Sequence, residues 1–136
     1  MFETFEDWFN DQGFENFKAH ELIAYFKRTR NTYPPGEMWD NIVPALRVLD
    51  ELRNVLEKPI TITSSYRAPA YNSACGGAPN SQHLFFRAID FQAKDTTPHE
   101  CYKILMGWRD AGMFRGGLGL YSTFVHIDTR GWNATW

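Results

Sequence analysis

A chain of 136 residues with a formal net charge of −2 and a pI near 6.1 offers no field to attract phosphate backbones or anionic lipid, which argues against nucleic acid or a membrane surface as partner. Its 15.8 kDa suffice for one core and one site, and the expectation is a single domain, monomeric, spanning residues 1–136. With 43% hydrophobic and 16% aromatic residues, 11 Phe and 5 Trp among them, the composition excludes a disordered chain.

The first ten residues alternate acids and aromatics, with no basic region followed by an apolar stretch, so no secretory signal is read and no run is long enough to span a bilayer. The expectation is a protein made in the cytoplasm that reaches any outside target by another route. Phe2 to Phe9 is a short packing element broken at Asp11-Gln12-Gly13, and a helix fits His20 to Arg30, where Lys27, Arg28 and Arg30 read as a solvated helix end. Residues 1–40 thus form an N-terminal helical segment expected to pack on the rest. Tyr33-Pro34-Pro35-Gly36 forces a turn.

From Met38 to Leu56 the residues Ile42, Leu46, Leu49, Leu52 and Leu56 recur at three- and four-residue steps and predict a long amphipathic helix. Lys58-Pro59 ends it. The β-branched alternation of Ile60 to Thr63 predicts a strand, and Ser64 to Gln82, rich in small and turn-forming residues, predicts an irregular excursion of the kind that carries function. Ala88 to Gln92 reads as a second strand with Ala88, Asp90 and Gln92 on one face. Pro98 to Ala111 reads as a helix capped by Thr97 that buries Cys101, Ile104, Leu105 and Trp108. Two short strands around Gly119-Leu120-Tyr121 and Phe124 to Asp128, then a tail with Trp132 and Trp136, complete an α+β domain with an antiparallel sheet. Cys75 and Cys101 match no paired spacing and are expected as reduced thiols.

Catalytic zinc sites commonly take three protein ligands from His and carboxylates and leave a position for water. His83 at a loop end, Asp90 on the following strand and His126 on a later one meet that need without cysteine. Asp90 lies between Ile89 and Phe91, so its carboxylate faces away from two large apolar side chains, and a metal would remove the cost of burying it.

In order along the chain stand Ser64-Ser65-Tyr66-Arg67, Ser81-Gln82-His83 with Ala88 and Asp90, Gly116-Gly117-Leu118-Gly119-Leu120-Tyr121, and Val125-His126-Ile127-Asp128. This series resembles the zinc D-Ala-D-Ala carboxypeptidases and related phage endolysin peptidases, whose fold is shared with the hedgehog signalling domain; the resemblance runs from about Leu46 to Arg130. It implies a Zn²⁺ metallopeptidase that hydrolyses a peptidoglycan stem or cross-link peptide, acting at the cell wall through phage lysis or virion delivery. It further implies that Arg67 steadies the substrate carboxylate or the oxyanion, with Ser81, Asn72 and Tyr121 at the cleft; loop and core roles for these four stand beside it. His20 and His99 fall outside the pattern.

Three positions depart from the family pattern. Phe86 stands where Gly is usual, so the backbone either avoids positive φ or is rebuilt around a ring; Ser65 replaces Gly; and Thr123 occupies the place of the general base, three residues before the last His. Asp128, on the same strand face as His126, is the substitute base, and a hydrogen bond to the ligand histidine is its equally ordinary alternative. Thr123 also keeps open a non-catalytic zinc-stabilised module that binds the cell wall. A cytoplasmic D-Ala-D-Ala dipeptidase is the third reading.

Overall fold

The computed structural model describes residues 2–23 and 31–136. Helix α1 (Phe5–Asp11) is capped by the Thr4 hydroxyl, which accepts from the Asp7 N–H, and it buries Phe5, Trp8 and Phe9. The helix expected over His20–Arg30 is described only up to Ile23; its remainder, including the basic residues, lies outside the described residues.

The long helix predicted from Met38 begins later. Gly36–Ile42 forms a 3₁₀ segment, and the α-helix proper, α2 (Val43–Leu56), starts there because Pro44 has no N–H and fits only in a first turn. Its apolar stripe is as expected, with Ala45, Leu46, Leu49 and Leu52 fully buried. The excursion after strand β1 (Ile60–Ser64) contains a two-turn helix, α3 (Pro69–Ala74), and a 3₁₀ turn at Gln82–Phe85. Strand β2 (Ala88–Ala93) follows, then helix α4 (Pro98–Asp110), whose Thr97 and Glu100 make a reciprocal capping box. On α4 the buried side holds Cys101, Leu105 and Arg109, while Ile104 and Trp108 are half-buried.

Strands β3 (Gly117–Leu120), β4 (Val125–Asp128) and β5 (Ala134–Thr135) complete one sheet of order β1-β2-β4-β3-β5. Its pairings are antiparallel, as expected, apart from that of β3 with the two-residue β5, which is parallel. The domain is α+β. One face of the sheet, with Ile89, Phe91, Val125 and Ile127, joins α1, α2 and α4 in a single apolar cluster. The register pairs Asp90 with His126 and Ala88 with Asp128, so the polar residues of β2 and β4 share the opposite face.

Phe86 keeps the left-handed backbone, φ +56°, that its usual Gly would adopt, and its ring is fully buried against Phe5 and Tyr66. The positive φ is not avoided; packing holds it.

Candidate metal centre and its cleft

His83, Asp90 and His126 each offer a donor atom, and the three atoms lie within 4.8 Å of one another. Asp90 Oδ2 is 3.2 Å from His83 Nε2, and Asp90 Oδ1 is 2.9 Å from His126 Nδ1. Ligands about 2.0–2.1 Å from a tetrahedral ion stand about 3.4 Å apart, so small shifts suffice to surround one.

Each imidazole is fixed from behind. His83 Nδ1 lies 2.6 Å from the Ser65 carbonyl, to which it donates, so Nε2 is the nitrogen that faces Asp90 and the centre. The Ser65 hydroxyl in turn donates to the Leu22 carbonyl, so the N-terminal segment supports this ligand. His126 is reversed: Nε2 meets Asp128 Oδ2 at 2.7 Å, and Nδ1 faces the centre.

Asp128 is entirely buried and has no free oxygen. Its Oδ1 accepts from Gly117 N–H and Arg130 Nε, both at 2.9 Å, and its Oδ2 accepts from Arg130 Nη2 at 2.7 Å besides His126. Burial by itself would raise this carboxyl, but hydrogen bonds from Arg130, His126 and Gly117 outweigh it and hold the carboxyl well below the usual range. Asp90 behaves alike: burial raises it, and the bonds from His126 and His83 prevail, keeping it ionised. Burial disfavours charge on His126, yet Asp128 and Asp90 raise its pKa overall, so a proton and a divalent cation compete for Nδ1. One soundly ionised carboxylate, Asp90, and two oriented imidazoles are the donor chemistry of a zinc site.

The three donors stand in a cleft of about 500 Å³ lined also by Arg67, Ser81, Tyr121, Phe124, Arg130 and Trp136. A family model described as peptidase M15 matches residues 15–128. The chain belongs to the peptidase M15 family. No curated protein matches it. This M15 chain is therefore a metallopeptidase of a zinc-dependent family, resembling the D-Ala-D-Ala carboxypeptidases, and its His83-Asp90-His126 group is placed to bind a metal.

The other expected site residues of this M15 peptidase fall in different places. Arg67 reaches the cleft, with Nη2 at 3.5 Å from Asp90 Oδ2 and Nη1 at 3.5 Å from Asn72 Oδ1, and it also donates to Ser64 of its own loop. Ser81 caps the 3₁₀ turn by accepting from His83 N–H. Asn72 is buried beneath the cleft, where it donates to the Ala78 carbonyl; the Cβ of any residue replacing Gly77 would collide with its amide. It holds the loop and Arg67 instead of lining the cleft. Tyr121 lines the cleft. Asp128, considered as a base, lies behind His126 on the nitrogen opposite to the centre, so it does not face the open side. Thr123 lines a separate cavity of about 210 Å³ beside Cys101.

In the sequence, neither Arg130 and Trp136 nor the glycines of β3 were assigned a role at the site. By the pairing of Gly119 with His126, Gly117 and Gly119 share the face of His126 and Asp128. A Cβ at Gly117 would meet Asp128 Oδ2 at 2.5 Å, and one at Gly119 would meet Trp136 Nε1 at 2.5 Å. Two glycines at a spacing of two on a strand were the available signal for large groups packed over that face.

Proposed function

We propose that this chain hydrolyses an amide bond in a peptidoglycan stem or cross-link peptide. The observation that carries the reading is the convergence of two oriented imidazoles and one ionised carboxylate in a cleft flanked by a guanidinium. When bound, zinc supplies polarisation of the scissile carbonyl and a lowered pKa for water.

The protein's own groups do the rest. His83, Asp90 and His126 hold the ion. Ser65 and Asp128 fix which nitrogen each imidazole presents, and Arg130 keeps Asp128 charged and in place. Asp128 is thus a positioning residue for His126, not a proton acceptor. Arg67, a planar donor beside Asp90, takes the substrate's terminal carboxylate or the oxyanion.

Zymography on purified cell walls tests this: clearing that chelator abolishes and zinc restores is the expected result, and no clearing on any wall chemotype overturns it. One observation favours a second reading, a zinc-stabilised wall-binding module: among the described residues lining the cleft, Asp90 has the only carboxylate side chain. Chelator-sensitive binding to walls without release of peptide distinguishes that outcome.

A further inference from the structure

The sheet order arranges the cleft along a line. Arg67 follows β1, Asp90 and His126 sit on β2 and β4 with His83 in the turn before β2, and Tyr121 and Trp136 follow β3 and β5 on the far side. The Arg67 guanidinium and the aromatic wall therefore stand at opposite ends, with the metal donors between them, while the Arg130 guanidinium at the aromatic end is bound to Asp128.

The wall is held with unusual care for a surface feature. Trp136 N–H donates to the Leu118 carbonyl at 3.0 Å, and its own carbonyl accepts from Leu120 N–H at 2.8 Å. Its ring lies 5.0 Å from that of His126, with the Arg130 guanidinium 5.2 Å from its centre. Buried Arg109 clamps the strand before it, donating to the Gly116 and Ala134 carbonyls at 2.8 Å and to the Thr135 hydroxyl. Gly119 clears its seat. Tyr121 stacks on Phe124 at 4.3 Å and 6°. Yet Trp136 and Tyr121 remain 44% and 41% exposed. Aromatic rings fixed in place beside a cleft and left uncovered mark a contact surface for a ligand.

The polar detail names the contact. Trp136 Nε1–H donates to the Tyr121 hydroxyl oxygen at 2.7 Å, which occupies a lone pair and leaves the phenolic proton to be given elsewhere. With an anionic terminus directed to Arg67, the part of a peptide that reaches this wall is its acyl side. We infer that Tyr121, Phe124 and Trp136 form the subsite for the acyl-side residue, and that the Tyr121 hydroxyl donates a hydrogen bond to the peptide carbonyl preceding the scissile bond. This rests on the proposed peptidase reading for the direction of the chain. The cleft thereby selects an acylated peptide over a free dipeptide, whose amino group has no carbonyl to offer.

The test compares an N-acylated tripeptide ending in D-Ala-D-Ala with the dipeptide D-Ala-D-Ala, using zinc-loaded protein. Hydrolysis is followed by product release and binding by calorimetry and by tryptophan fluorescence. Tyr121→Phe, which keeps the stacked ring, is expected to lower affinity and kcat/KM for the tripeptide about tenfold more than for the dipeptide, as loss of one hydrogen bond implies, with zinc content unchanged. Gly119→Ala, which displaces the indole, should shift the same ratio in the same direction. Equal losses on both ligands, or none on the tripeptide, overturn the subsite. Should the wild type bind the tripeptide without cleaving it, the peptidase reading fails while the affinity ratio still decides the subsite; if it binds neither, both fail.

Discussion

Phe86 occupies a left-handed backbone position that favours Gly, so Phe86→Gly looks like a repair, and the structure says otherwise. Releasing a side chain from φ +56° returns about 1–2 kcal/mol, of which roughly 0.5–1 kcal/mol is lost again to the greater freedom of glycine in the unfolded chain. Against this, the ring is fully buried between Phe5 and Tyr66, and removing such a phenyl group costs about 3–5 kcal/mol in transfer and cavity terms. The balance is a loss of about 2–4 kcal/mol, or roughly 6–15 °C in Tm for a chain of this length. Phe86→Ala, which loses the ring and keeps the strain, should fall about 1 kcal/mol further. Urea and thermal unfolding of the metal-free protein, with the two variants beside the wild type, measure both quantities. A glycine variant as stable as the wild type, or an alanine variant more stable than the glycine one, would show that packing does not hold this turn.

If Asp128 positions His126, Asp128→Asn should weaken zinc binding by about 10–100-fold while turnover returns in excess zinc; lost turnover at full zinc occupancy would restore Asp128 as a proton acceptor. His83→Ala and His126→Ala should each abolish zinc retention, and full occupancy by elemental analysis would remove that residue from the ligand set. Burial, aided by Glu100, pushes the Cys101 thiol up to about 11, whereas Cys75 is exposed at the cleft. Because the thiolate is the reactive form, iodoacetamide at pH 8 should add once to the native protein, at Cys75, and twice after denaturation, as mass spectrometry can count. A second adduct on the native protein contradicts that burial.

The path from sequence to site was uneven, and particular residues show why. His83, Asp90 and His126 could be read because their types, their spacing and the strand alternation around Asp90 each favoured one polar face. The stripe of α2 was equally plain, although Pro44 moved its start to Val43. The short helix α3 and strand β5 carry too few residues to show a period, and β5 exists only because the Gly116 and Leu118 carbonyls accept from the backbone N–H groups of Ala134 and Trp136.

Local chemistry therefore determined which groups can hold a metal, since donor type and side-chain alternation are properties of the chain itself. Only the folded molecule decided what each carboxylate does. Asp90 and Asp128 are the same residue on similar strands, yet one faces the centre and the other is closed in behind an imidazole by Arg130 and Gly117. That difference arises from which strands lie side by side and in what register, and no local pattern encodes it.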